Sequence, residues 1–233
     1  MTVVLWDVDG TLVKAGEAGR LAFADAVAAV FGVDVPPELL PRMAGKTDPQ
    51  IALEVLGQLD VPAPDRHLEE LQLALEAALT ARVPQIRREG VVLPGVREAL
   101  DGLAAAGAVQ TLVTGNVTAN ARTKLAAVGL LDEEGQGPLR LDIGAYGSDD
   151  ADRDNLVPIA MDRCRAAGFT VSREATWVVG DTPRDLACAR AAGVRCLLVA
   201  TGGYERDALE QAGADAVFGD LLDTSGVVRL LTG

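Results

Sequence analysis

The chain has 233 residues, 49% of them hydrophobic, which is enough for one large α/β domain or a core carrying a smaller insert, and which excludes a disordered chain. A formal charge of −13 repels a nucleic-acid backbone, and the nearest thing to a basic run, Ile86-Arg87-Arg88, is too small to reverse that. Apolar stretches such as Leu197–Ala200 are too short to cross a bilayer, and Met1–Trp6 lacks the basic and apolar regions of a signal peptide, so the expectation is a soluble cytoplasmic protein with neither nucleic-acid nor membrane partner.

In chain order, the apolar run Val3–Trp6 predicts a short buried strand. It ends in Asp7-Val8-Asp9-Gly10-Thr11. Alternation along an extended backbone places Asp7 and Asp9 on one side, and Gly10 lets the chain turn without a Cβ clash. Two like charges there repel unless a cation neutralises them or one is protonated. Helical spacing follows over Ala18–Phe31, stopping at Gly32, then over Pro49–Leu59 and Arg66–Ala81. Pro36-Pro37, Gly45 and Pro62-Ala63-Pro64 punctuate these helices, so residues 16–92 read as an all-helical block. In its loop Gly45-Lys46-Thr47-Asp48, Asp48 is the expected N-cap of the following helix, with Thr47 the alternative.

Beyond the block, strands and helices alternate. Helices are expected over Val96–Ala106, Val117–Val128, Leu156–Ala167, Arg184–Ala192, Tyr204–Ala212 and Leu221–Leu231. Strands are expected over Gln110–Val113, Leu141–Ala145, Thr176–Val179, Arg195–Ala200 and Ala216–Phe218. This rhythm predicts an α/β fold, a doubly wound parallel-sheet Rossmann-like core built from residues 1–15 and 93–233, with the helical block of residues 16–92 inserted. Cys164, Cys188 and Cys196 sit in apolar or Ala-rich segments without a C-x-x-C spacing, so buried reduced thiols are expected. His67 is the only histidine. That excludes a His-based triad or a multi-His metal site within one chain, and a surface position is expected for it.

Ligands of open parallel sheets sit beyond the carboxyl ends of the strands. Polar residues collect at those ends: Asp7 and Asp9 after the first strand, Thr114-Gly115-Asn116 after the second, and Gly180-Asp181-Thr182-Pro183-Arg184-Asp185 after the fourth. Taken singly, Thr114, Asn116, Asp181 or Thr182 is a helix N-cap. Taken together they match what phosphoryl transfer needs. Asp7 and Asp181 can hold a hard cation such as Mg²⁺, and the Thr114 hydroxyl with the following N–H groups can hold phosphate oxygens. One carboxylate can attack while another protonates the departing alkoxide.

This set resembles the haloacid dehalogenase (HAD) superfamily over essentially the whole chain. Asp7–Leu12 (D-V-D-G-T-L) looks like its first motif, Leu112–Asn116 (L-V-T-G-N) its second and Gly180–Asp185 (G-D-T-P-R-D) its fourth, with the helical block where members with a small helical cap carry it. The resemblance implies Asp7 as nucleophile and Asp9 as general acid and later base. It implies Thr114, with Gly115 and Asn116, around the transferring phosphoryl group. Mg²⁺ would be held by Asp7, the Asp9 backbone carbonyl and Asp181, with Asp185 close behind. The third motif departs from the family, since no Lys-Pro occurs between Asn116 and Gly180. Arg153 is the candidate for that basic residue, because an arginine stays charged and can bind two phosphoryl oxygens. The other reading makes Arg153 a surface partner for Asp149, Asp150 and Asp152, leaving Lys124, Arg140 or Arg163 to serve instead. Lys46, in the cap loop, is the candidate for meeting the leaving-group half of the substrate.

The implied function is a Mg²⁺-dependent phosphatase of a small phosphorylated metabolite, phosphoglycolate phosphatase-like, working through an aspartyl phosphate as a monomer or homodimer. Its rivals on the same fold are a phosphosugar mutase, a phosphonate hydrolase using Lys46 or Lys14, and a 2-haloacid dehalogenase, which Asp9 and Asp181 argue against. A non-catalytic phosphometabolite-binding protein is the rival of another class.

Overall fold

The computed structural model describes residues 1–36, 39–132, 135 and 137–233; Pro37, one of the punctuating prolines, lies outside them. Strand β1 (Val3–Trp6) is wholly buried, and its side chains alternate between two cores. Val3 and Leu5 face one, Val4 and Trp6 the other, as expected of a strand covered on both sides. Around it lie β4 (Val109–Thr114), β5 (Ala145–Tyr146), β6 (Thr176–Gly180), β7 (Arg195–Val199) and β8 (Ala216–Phe218). Numbering follows the chain, and the short strands β2 (Val13–Lys14) and β3 (Val91–Val92) form a separate antiparallel ribbon. The main sheet has the order β5-β4-β1-β6-β7-β8, and all of its pairs are parallel.

Helices α5 (Val96–Ala105), α6 (Thr118–Ala127) and α10 (Thr224–Thr232) bury Leu100, Leu103, Leu125 and Leu231 against one face. Helices α7 (Leu156–Ala166), α8 (Pro183–Ala192) and α9 (Arg206–Ala212) cover the other with Leu156, Leu186 and Leu209. The doubly wound sheet is therefore as its alternating sequence predicts. Strand β1 sits mid-sheet although it comes first in the chain. The buried Gln110 amide bridges this region: the Trp6 indole donates to Gln110 Oε1 (3.2 Å), and Gln110 Nε2 donates to the Leu100 carbonyl (2.8 Å).

Helices α1 (Ala18–Phe31), α2 (Asp48–Gln58), α3 (Leu68–Ala81) and α4 (Val83–Glu89) pack on one another around Phe23, Val27, Ile51, Leu56, Leu71, Leu75 and Ile86. The chain reaches them through β2 and leaves them through β3. Neither short strand was expected, since two residues are too few to show a period. Helix α4 was also missed, because Pro84 so soon after Ala81 reads as a break although it sits in the first turn, where proline is tolerated.

Other differences have local causes. The strand expected over Leu141–Ala145 is instead a 3₁₀ turn over Leu141–Ile143 followed by β5. The Thr111 hydroxyl donates to the Arg140 carbonyl (2.6 Å) and the Tyr146 hydroxyl to the Leu141 carbonyl (2.6 Å), so side chains occupy acceptors that a ladder would need. Helix α10 starts at Thr224, not Leu221, because the Asp223 carboxylate caps it by accepting the Gly226 N–H (3.0 Å). His67 is half-buried instead of exposed, with its ring edge-to-face with Phe31 at 5.3 Å. Cys164, Cys188 and Cys196 are buried and unpaired, as expected. Among the described residues no helix is long and apolar enough to cross a membrane.

Candidate active site

The carboxyl ends of β1, β4 and β6 meet at one edge of the sheet, and the singled-out polar residues meet there too. Gly10 (φ +83°) turns the chain after β1, and a Cβ on it would lie 2.5 Å from Asp181 Oδ2. Only glycine permits both that backbone and that approach. After β6, Thr182 caps α8: its hydroxyl oxygen accepts the Arg184 N–H (3.2 Å), and Asp185 Oδ2 accepts the Thr182 N–H (2.9 Å) and hydroxyl (2.7 Å). With Thr182 as the cap, Asp181 is free to turn toward Asp7. The Thr11 hydroxyl donates to Asp181 Oδ1 (3.3 Å).

Carboxylate oxygens of Asp7, Asp181 and Asp185, all buried, lie within 4.8 Å of one another. Burial pushes the Asp7 carboxyl up to about 6, with Asp185 and Asp9 adding repulsion and Arg153 opposing it. Burial likewise pushes Asp181 up to about 8, reinforced by Asp185 and Asp7. Gathered hard oxygens that resist carrying their charge together are a donor set suited to a small divalent cation. The residues present therefore fit Mg²⁺. Asp185 is the outer member, because its oxygens already accept from Thr182 and Arg153.

Arg153 lies in a 3₁₀ turn (Arg153–Asn155) just before α7 and is buried against this cluster. Its guanidinium pairs with Asp185, stands 3.3 Å from Asp7 Oδ1, and donates to the Gly45 carbonyl (3.3 Å). The acidic neighbours that offered a surface role are engaged elsewhere. Asp149 pairs with Arg163 (2.7 Å), Asp150 accepts from Asn155 (2.9 Å), and Asp152 caps the turn through the Asp154 N–H (3.1 Å).

Thr114, Gly115 and Asn116 leave the end of β4, and neither Thr114 nor Asn116 caps the next helix. Asn116 Nδ2 donates to Thr114 Oγ1 (3.0 Å) and to Asp9 Oδ2 (2.7 Å). The N-terminus of α6 is capped from the helical block: Asp48 Oδ2 accepts from the Val117 N–H (2.9 Å) and Asn120 Nδ2 (3.2 Å). Burial raises the Asp48 carboxyl above its ordinary range, with Lys124 opposing. The cap of α2 is accordingly Thr47, which accepts the Gln50 N–H (3.2 Å), and not Asp48. Sequence pattern could not separate the two, because the partner Asp48 finds is tertiary.

The loop that carries Asp48 is fastened to the sheet edge. The Asp48 N–H donates to the Gly115 carbonyl (2.7 Å) and the Thr47 hydroxyl to the Ala151 carbonyl (2.7 Å). A Cβ on Gly115 would lie 2.1 Å from the Lys46 carbonyl. Lys46 thus reaches the site, but its ammonium is paired with Glu54.

A cleft of about 620 Å³ opens over these groups and is lined by Asp7, Asp9, Thr114, Lys124 and Arg153 together with Arg20 and Arg42 of the helical block. Arg20 donates to the Leu40 carbonyl (3.3 Å) and Arg42 stacks on the Tyr204 ring (4.7 Å). Neither arginine drew notice in the sequence, since nothing local ties them to the motifs. Lys124, considered only as a substitute for Arg153, is buried and reaches Asp9 Oδ2 at 2.6 Å. One signal was available: it is one of only three lysines and lies on the helix opened by the second motif.

Residues 4–190 match the sequence model of the haloacid dehalogenase-like hydrolases. The chain is 28% identical over 218 residues to a phosphoglycolate phosphatase of Rhodospirillum rubrum, covering 93% of this chain and 86% of that protein. It is 29% identical over 233 residues to the probable phosphatase IndB of Dickeya dadantii, covering 98% and 94%. Among solved structures, CbbY of Rhodobacter sphaeroides in complex with xylulose-1,5-bisphosphate superposes with a TM-score of 0.73 at 21% identity, covering 96% of each chain. That last likeness speaks to fold alone.

Proposed function

From a chain that belongs to the haloacid dehalogenase-like hydrolase family, we infer a Mg²⁺-dependent phosphatase that works through an aspartyl phosphate on Asp7. The chain is a phosphoric monoester hydrolase. The finer reading rests chiefly on one observation: the Asp7 carboxylate lies within 4.8 Å of Asp181 and Asp185 and 3.3 Å from Arg153, on the same sheet edge as Thr114. Its substrate is a small phosphorylated metabolite, of which phosphoglycolate is one by likeness to the Rhodospirillum rubrum enzyme. Free buried cysteines suit a reducing cytoplasm.

When bound, Mg²⁺ held by Asp7, the Asp9 carbonyl and Asp181 supplies charge against the phosphoryl oxygens. The rest falls to the protein. Asp7 is the attacking carboxylate. Thr114, Gly115 and Asn116 hold the phosphoryl group at the end of β4, with the Thr114 hydroxyl as its donor. Asp9, exposed at the turn, gives a proton to the leaving oxygen and afterwards takes one from water. Helices α1–α4 act as a cap over the cleft, with residues 16–92 as that unit, and they exclude bulk water and select the leaving group. A phosphonate hydrolase would need a free cap lysine, and the Lys46–Glu54 pair argues against that one.

A screen of purified protein with Mg²⁺ against small phosphate monoesters should show inorganic phosphate release from at least one. Silence across carboxylated, sugar and aryl phosphates would refute the reading. Asp9→Asn should keep the phosphoryl site yet lower kcat on an alkyl phosphate by about 10²–10⁴-fold. Wild-type rates in that variant would remove Asp9 from the role. Arg153→Ala should lower turnover of every substrate alike, and Arg153→Lys should restore part of it, since charge survives while the two-pronged geometry does not. Full activity in Arg153→Ala would pass the role to another cation.

A further inference from the structure

We infer that Lys124 is a positioning residue for the reaction, its ammonium holding the Asp9 carboxyl group against the phosphoryl cradle. This rests on the phosphatase reading above, with Asp9 as the acid and base. Asp9 stands at a turn with an exposed side chain, so its own strand does little to orient it. Two donors converge on its Oδ2: Lys124 Nζ at 2.6 Å and Asn116 Nδ2 at 2.7 Å. The same ammonium donates to Asn116 Oδ1 (2.7 Å), and Asn116 in turn donates to Thr114 Oγ1 (3.0 Å). Thr114, Asn116, Lys124 and Asp9 thus form one connected set anchored on β4 and α6.

Lys124 is only 8% exposed, and an ammonium that deep is unfavourable unless paired. Its partners are the Asp9 carboxylate (2.6 Å) and the Asn116 amide oxygen (2.7 Å). Arg153 cannot do this work, because its guanidinium is committed to Asp185 and Asp7 on the metal side of the site.

The steps show when the contact matters. In the first half, Asp7 bonds to phosphorus as the P–O bond to the leaving group breaks, and the Asp9 carboxyl proton goes to that leaving oxygen. The products are an alcohol, the Asp7 acyl phosphate and the Asp9 carboxylate. In the second half, water attacks phosphorus and loses a proton to Asp9, while Asp7 departs as a carboxylate and inorganic phosphate is released. The 2.6 Å ion pair belongs to the carboxylate form that joins the two halves. Lys124 itself neither gains nor loses a proton. It fixes where the Asp9 oxygens point.

The test compares kcat/KM on two esters. An alkyl phosphate needs a proton on its leaving group, whereas p-nitrophenyl phosphate releases a stable phenolate that does not. Lys124→Met should lose on the order of 10²-fold on the alkyl ester and about tenfold or less on the aryl ester, and Lys124→Arg should recover most of the difference. In an Asp9→Asn background, Lys124→Met should add little on the alkyl ester, because both changes disable the same step. Should Lys124→Met not accumulate in folded form, Lys124→Gln carries the same comparison. Equal losses on both esters, with weaker inhibition by inorganic phosphate, would make Lys124 a ligand of the phosphoryl group and overturn the inference. Additive losses with Asp9→Asn, or unchanged kcat/KM, would overturn it as well. Wild-type protein inactive on both esters would remove the phosphatase reading, and this inference with it.

Discussion

Asp7→Asn is expected to abolish turnover while the protein stays folded. An amide is a poor nucleophile and cannot form the acyl phosphate, so kcat should fall by roughly 10⁴–10⁶-fold, the range seen when a nucleophile or its partner is removed. The fold should tolerate the change. Strand β1 is held by its ladders to β4 and β6, and the Asp7 N–H donates to the Val179 carbonyl (2.9 Å), none of which uses the side chain. The carboxyl group is buried beside Asp185 and Asp9, with Arg153 its nearest cation, and Arg153 keeps Asp185 as a partner in the variant. A melting temperature close to wild type, together with lost phosphate release, is the expected pair of readings. Wild-type activity in Asp7→Asn would rule out Asp7 as the nucleophile.

Chelation should be nearly as damaging. With Asp7, Asp181 and Asp185 within 4.8 Å, burial and mutual repulsion already push Asp7 to about 6 and Asp181 to about 8. A dianionic ester entering that space meets further repulsion, which Arg153 alone, already shared between two carboxylates, does not offset. A cation supplies several kcal/mol at such a centre, and about 3 kcal/mol corresponds to roughly a hundredfold in rate. Protein stripped with EDTA and freed of it should therefore lose at least that much turnover and regain it on addition of Mg²⁺. Asp181→Asn should behave like the stripped enzyme and respond poorly to added Mg²⁺. Undiminished turnover in excess chelator would refute the metal requirement.

Much of the fold could be read along the chain because its signals are local. The run Val3–Trp6 and the helix Ala18–Phe31 are found where periodicity and Gly32 place them. Signals failed where the determining partner was distant. Leu141–Ala145 reads as a strand until Thr111 and Tyr146 take its carbonyls, and Asp48 reads as the cap of its own helix until it is seen capping α6. The ribbon of β2 with β3 was too short to leave a pattern in either half.

The candidate site divides the same way. Asp7, Asp9, Thr114, Asn116, Asp181 and Asp185 were visible because each lies at or shortly beyond a strand end, and a parallel sheet brings such ends to one edge. Sequence alone thus determined the parallel α/β architecture and the acidic and hydroxyl chemistry at its edge, since both rest on period and spacing within a few residues. Only the tertiary structure decided which cation meets which carboxylate: Arg153 with Asp7 and Asp185, Lys124 with Asp9, and Lys46 with Glu54. Ion pairing depends on separations of a few ångströms between side chains up to 146 residues apart, as for Arg153 and Asp7, and no local pattern in a single chain encodes that distance.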